Sequence, residues 1–135
     1  MNGTVICGVD DSGSAAGAAH VARELAARLE LPLVFVHVLE EGAGPEEALV
    51  AERLLAQLAG DDAGWESHAG HAADRLVGLA AERDAALVVL GCNGPRSSLL
   101  GSISADVSRR APCPVVVVPT TVAWAQDERA AVASG

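Results

Sequence analysis

Glycines and serines are spaced for phosphate binding near the middle of the second half of the chain. Gly91 and Gly94 follow an apolar stretch, and Gly101 and Ser102 come shortly after them. Glycine lets a backbone approach a ligand closely, and the unpaired N–H groups at the start of a helix attract anions. The hydroxyls of Ser102 and Ser104 add donors that suit phosphate oxygens. The pattern indicates a phosphate loop, but a βα turn that needs glycine only for its geometry fits it as well.

A carboxylate pair follows the first apolar stretch of the chain. Asp10 and Asp11 come directly after residues 4–9, whose short β-branched run predicts a central strand covered on both faces. A carboxylate accepts hydrogen bonds from amino groups and hydroxyls, so Asp10 fits either ligand contact or helix capping. For Asp11 we expect capping or solvation.

The elements around these residues alternate between strand and helix patterns. This alternation predicts a parallel sheet with helices on both faces and right-handed crossovers. If the first strand is central and the fourth lies beside it, Asp10 and Gly91 lie at the same crevice. Open sheets of this kind bind ligands in such a crevice. The polar third strand belongs near a sheet edge. The predicted strands are 4–9, 33–39, 65–69, 86–90 and 115–118, and the predicted helices are 14–29, 46–58, 71–83 and 101–109.

Composition excludes several classes of function. The net charge of -9 disfavours nucleic-acid binding, because a basic surface is needed to displace counterions. The sequence contains no lysine, which excludes a Walker-type or Schiff-base lysine. Three widely spaced cysteines do not resemble a disulfide framework. With no signal-peptide pattern and no apolar run of membrane-spanning length, we expect one soluble cytoplasmic domain.

The histidines and one cysteine are further candidates for chemistry. His37 stands in a predicted buried strand, where a hydrogen-bonded core residue is expected rather than a base. His68 and His71, with Asp74 beyond, have a spacing that a metal can use, but they lack a third strong ligand and are expected at the surface. A thiol at Cys92, in the glycine loop near a helix start, can have a lowered pKa.

Four segments together resemble the single-domain, UspA-like universal stress protein family. They are VICGVDDS at the first strand, FVHVLE at the second, the glycine loop from Gly91 to Ser102, and APCPVVVVP at the last strand. The resemblance implies an adenine nucleotide alpha hydrolase-like α/β fold, a five-stranded parallel sheet in the order 3-2-1-4-5. It also implies a domain over residues 1–119, with a tail at 120–135 that is a short helix or disordered. Similar proteins commonly dimerise through the last strand, here residues 115–118, which otherwise leaves an apolar edge.

The resemblance also implies a set of ligand-binding residues. Asp10 and the backbone of Val38 would contact adenine and ribose, Gly91 the ribose, and Val9 would lie in the same site. The phosphates would contact Gly94, Gly101, Ser102 and Ser104. The spacer from Pro95 to Leu100 is three residues shorter than in the family's motif, and Pro95 removes one backbone donor there.

We therefore expect a stress-response regulatory module that binds ATP or a related adenine nucleotide. No general base with an orienting partner is visible beside the phosphate loop, so at most slow hydrolysis is expected, and only if Asp10 or Asp11 holds Mg²⁺. Two alternatives stay open. One is a nucleotide-free homodimer that acts through protein contacts, and the other is a small enzyme with Cys92 as its nucleophile.

Overall fold

The computed structural model describes residues 3–9, 15–92 and 102–119, and strands alternate with helices through them. The strands are β1 (Val5–Gly8), β2 (Leu33–Leu39), β3 (Gly64–Ala69), β4 (Leu87–Cys92) and β5 (Val115–Pro119). The helices are α1 (Ala15–Leu29), α2 (Pro45–Ala59), α3 (Ala72–Glu82) and α4 (Ser102–Arg110). No helix in these ranges is both long enough and apolar enough to span a membrane.

The strands form one parallel sheet in the order β3-β2-β1-β4-β5. This confirms the predicted fold class, the central position of the first strand and the edge position of the third. Val5 pairs with Leu33 on one side and with Leu87 on the other. β1 therefore makes parallel ladders on both of its edges.

The fourth strand is longer than its sequence pattern predicts. Gly91 and Cys92, which we expected to begin the glycine loop, still pair with Val118 and Pro119 of β5. Glycine weakens a strand but leaves its backbone hydrogen bonds possible, so the neighbouring ladder extends β4 past the end of its apolar run. Gly91 consequently lies inside β4, one residue before the strand ends.

Two cores cover the two faces of the sheet. Val5, Cys7 and Phe35 pack with buried residues of α1 and α2, whereas Ile6 and Val36 pack against α3 and α4. Because successive strand side chains point to opposite faces, the continuous apolar run of β1 supplies both cores at once. The helices on both faces agree with the prediction from the alternating pattern.

Charged side chains line the β3 edge of the sheet. Glu66 accepts hydrogen bonds from Arg83, one of them at 2.6 Å, and these bonds are the main reason that the pKa of its carboxyl is lowered. His68 Nε2 lies 2.8 Å from Glu66 Oε1, and Arg75 Nη2 lies 3.0 Å from His68 Nδ1. A guanidinium only donates, so Nδ1 accepts and Nε2 carries the proton. Both nitrogens of His68 are thus engaged, and the charges discourage pairing with another chain at this edge.

The end of α1 places a glutamate in a backbone conformation that favours glycine. Glu30, the residue after α1, has a φ of 55°. The N–H of Leu31 donates to the carbonyl of Ala26 at 3.0 Å, which closes the helix end as a Schellman motif. A residue with a Cβ is strained in this left-handed region.

We expect Glu30→Gly to raise the free energy of unfolding by about 0.5–1 kcal/mol, because glycine adopts this conformation without steric cost. Chemical denaturation monitored by circular dichroism measures the change. The matched control is Ala27→Gly, at an exposed position inside α1, which should lower the same free energy by roughly 0.5–1 kcal/mol. Destabilisation by both substitutions would contradict the prediction.

Candidate functional site

A cavity of about 730 Å³ opens at the carboxyl ends of β1, β2 and β4. Its volume lies within the range of about 300–1,000 Å³ that is usual for small-molecule sites. The chain proceeds from β1 to β2 on one side of the sheet and returns to β4 on the other, so the cavity lies where the strand order reverses. Open α/β sheets bind ligands at such a point.

The structure brings five of the predicted site residues to this one cavity. They are Val9, Val38, Gly91, Ser102 and Ser104. The other three, Asp10, Gly94 and Gly101, lie outside the described residues. The ends of the first and fourth strands are adjacent, as predicted, since Gly8 of β1 pairs with Leu90 of β4.

Gly8 is a cavity residue that the sequence analysis did not identify. A Cβ at this position would lie 2.7 Å from Leu90 Cδ2 and 3.2 Å from Leu76 Cδ1. The missing side chain therefore allows both leucines to pack beneath the cavity, which all three residues line. Its signal in the sequence was a glycine just before the end of an otherwise apolar strand, where a close approach of neighbours is expected.

The first turn of α4 forms one wall of the cavity. Ser102 is the first residue of the helix and is exposed, whereas Ser104 is buried. Ser104 Oγ donates a hydrogen bond to the carbonyl of Gly91 at 3.3 Å, so its hydroxyl hydrogen already has an acceptor. Ser102 is thus the better placed donor for an anion, next to backbone N–H groups that have no partner within the helix.

The opposite wall carries carboxylates. Glu46 and Glu47, in the first turn of α2, and Glu40 after β2 line the cavity there. Within the described ranges no arginine lines it. The site is therefore polarised, with the anion-attracting start of α4 beside β4 and an acidic rim beside β2. This arrangement suits a ligand with one anionic end and one neutral end that donates hydrogen bonds.

The α2 wall is a second feature that the sequence analysis missed. Val50 and Ala51 line the cavity together with the two glutamates of the first turn. The available signal was Pro45, which marks a helix start soon after β2 and thus at the carboxyl edge of the sheet. That signal locates the start of the helix but does not show that its first turns line a cavity.

His37 is buried on the β2 side of the cavity, as predicted, but its expected hydrogen bond is missing at one nitrogen. His37 is one of the residues that line the cavity, and it is 9% exposed. Nδ1 is shielded from solvent and has no hydrogen-bond partner among the residues that the structure describes. A buried polar atom without a partner costs about 1–3 kcal/mol of stability.

Two cysteines are placed where thiol chemistry is disfavoured. Burial raises the pKa of the Cys7 thiol to about 12 and also raises the pKa of Cys113. Both thiols therefore stay protonated near neutral pH, and the nucleophilic form of cysteine is the thiolate. The side chain of Cys92, on which the enzyme hypothesis depends, lies outside the described part of the structure.

Solved structures that resemble this fold include universal stress proteins. UspA from Lactobacillus plantarum has a TM-score of 0.76 and 23% sequence identity, covering 87% of this chain and 98% of its own. A universal stress protein from Archaeoglobus fulgidus in complex with dAMP has a TM-score of 0.70 and 27% identity, covering 86% and 97%. A universal stress protein in complex with cAMP has a TM-score of 0.69 and 26% identity, covering 89% and 99%.

The sequence gives the family independently of the fold. Residues 40–119 match the model of the universal stress protein family. That match spans more than half of the chain, which therefore belongs to the universal stress protein family. No curated protein shows a significant match.

Proposed function

We propose that the chain binds an adenine nucleotide in the cavity at the carboxyl ends of β1, β2 and β4 and acts as a cytoplasmic stress-response regulatory module. The observation that carries the proposal is the joining of three strand ends with the start of α4 in one polarised cavity. The phosphate lies at the start of α4, and the nucleoside lies towards β2 and α2.

Two relatives support the class of ligand. The structures in complex with cAMP and with dAMP are 26% and 27% identical to this chain over nearly its whole length. Both ligands combine adenine with a single phosphate, which corresponds to a cavity with one anion-attracting wall. The proposal also covers ATP, a more highly charged adenine nucleotide, whose Mg²⁺ would be held by Asp10 or Asp11.

The chemistry of the described walls supports binding rather than rapid hydrolysis. The titratable side chains that line the cavity, Glu40, Glu46, Glu47 and His37, come from β2, α2 and the connection between them. The phosphate end has hydroxyls and helix N–H groups, which hold an anion but do not activate water. A general base must reach the proton that it removes, so we propose slow turnover at most.

Thermal and chemical unfolding with nucleotide present test the proposed function. A ligand that binds only the folded chain should add about 2.7 kcal/mol to the free energy of unfolding at 100 times its dissociation constant. We expect stabilisation by AMP, cAMP or ATP and none by inorganic phosphate at the same concentration. An unfolding curve unchanged by all three nucleotides at millimolar concentration would reject the proposal.

Ser102→Ala should weaken AMP binding by about 3- to 10-fold, because it removes a hydroxyl donor at the start of α4. Isothermal titration calorimetry measures the dissociation constant. Ser108→Ala is the matched control, since Ser108 is exposed on the same helix and does not line the cavity. An equal effect of the two substitutions would contradict the placement of phosphate at this helix end.

We also propose a homodimer that pairs through β5, with or without nucleotide. β5 forms the other edge of the sheet, and Val115, Val116 and Val117 remain partly exposed there. An apolar edge strand is an open template for pairing, and pairing with a second copy removes it. Among the described residues, β5 itself has no charged side chain, in contrast to β3.

Val117→Lys should convert such a dimer into a monomer, because a like charge from each copy would meet at the paired edge. Sedimentation or light scattering measures the mass. Glu66→Lys at the opposite edge of the sheet is the comparison and should leave the mass unchanged. A monomeric wild-type chain at high micromolar concentration would contradict the dimer.

A further inference from the structure

We propose that His37 recognises the nucleoside part of the ligand from the β2 wall of the cavity, an inference that rests on the nucleotide-binding function proposed above. The family resemblance assigned no role of this kind to the side chain.

The position of His37 follows from the alternation of β2. Phe35, two residues earlier, belongs to the core that α1 and α2 cover. Alternation directs His37 to the same face, one step closer to the carboxyl end of the strand. The core residues end there and the cavity begins, with Glu47 and Val50 of α2 on its far side. The imidazole thus occupies the boundary between the apolar core and the cavity.

The described neighbours of His37 leave its buried nitrogen without a partner. Ser67 is its register neighbour in β3, and Val9 lies beyond β1, where its N–H donates to the carbonyl of Val36 at 2.8 Å. Neither residue, nor Glu46 or Glu47 from α2, supplies a hydrogen bond to Nδ1. Buried polar groups are nearly always paired, so an exception next to a cavity calls for a partner that the cavity brings.

The distribution of charge over the cavity walls indicates which part of the ligand contacts His37. The anion-attracting end of the cavity is at Ser102, beside β4, and β1 lies between β4 and β2. His37 is therefore across the sheet from the phosphate, on the side that carries Glu46 and Glu47. A neutral imidazole has one donor and one acceptor nitrogen, which suit the ring nitrogens and amino group of a purine and the hydroxyls of a ribose.

Because Nδ1 is shielded, it can contact a ligand in the cavity only if the ring rotates. The χ2 torsion of histidine has broad minima, and a half-turn about it exchanges Nδ1 with a ring carbon. We expect ligand binding to select the ring orientation in which Nδ1 faces the cavity. Binding of the nucleoside would satisfy an atom that is unsatisfied in the ligand-free chain.

Replacement of His37 by leucine should move stability and affinity in opposite directions. His37→Leu removes an unsatisfied buried atom, so the melting temperature of the ligand-free chain should rise by about 3 °C or more. The same substitution removes the hydrogen bond to the nucleoside, so the affinity for AMP should fall about 10-fold. His37→Gln keeps a hydrogen-bonding group and should retain affinity within about threefold of the wild type.

The control is His71→Leu, since His71 is exposed and does not line the cavity, and this variant should bind AMP as the wild type does. Adenosine identifies the part of the ligand that is recognised. His37→Leu should lower the affinity for adenosine, measured by competition, by the same factor as the affinity for AMP. A lower affinity for AMP with an unchanged affinity for adenosine would overturn the assignment of His37 to the nucleoside.

Nitrogen NMR of the histidine side chains in the wild type gives a test that does not depend on folding of a variant. On addition of AMP, the imidazole nitrogen signals of His37 should shift and those of His71 should not. Wild-type affinity in His37→Leu, or unmoved His37 signals at saturating AMP, would overturn the inference while leaving the proposed function intact. A wild-type chain that binds no AMP or cAMP would overturn both.

Discussion

The parallel pairing of β1 on both of its edges is the constraint on which the rest of the structure depends. β1 is only four residues long, yet it aligns β2 on one side and β4 on the other in matching register. Such a strand is buried on both faces, so every side chain along it has to be apolar or absent. From β1 the sheet continues through β2 on one side and through β4 on the other. The cavity forms at the carboxyl ends of these strands, where the strand order reverses.

The same topology places the starts of α2, α3 and α4 at the cavity, and it gives the starts of α2 and α4 different chemistry. In a right-handed β–α–β crossover each helix runs back along the sheet, so α2 and α4 both begin at the carboxyl edge of the strands. Both starts present N–H groups without partners. The first turn of α2 carries Glu46 and Glu47, which neutralise its positive end, whereas the first turn of α4 carries Ser102 and Ser104. One geometry therefore produces one acidic wall and one anion-attracting wall.

Local pattern was enough to predict the elements, because apolar periodicity and proline act within a few residues. The strand order came from the family resemblance rather than from periodicity, since the contacts that decide it join distant parts of the chain. The same limit explains Gly91, where pairing with Val118 overrides a residue type that favours a loop. It also explains Gly8, because the two leucines that need its missing Cβ come from α3 and β4.

His37 shows the limit most clearly, since burial could be predicted from its strand but an absent partner could not. Whether Nδ1 is satisfied depends on side chains from β1, β3 and α2 at once, and the sequence places none of them near it. Native proteins have a net stability of only about 5–15 kcal/mol, so an unsatisfied buried atom has a measurable cost. If the nucleoside supplies the missing hydrogen bond, part of that cost is recovered on binding, and the ligand-bound chain is stabilised at the point where the core meets the cavity.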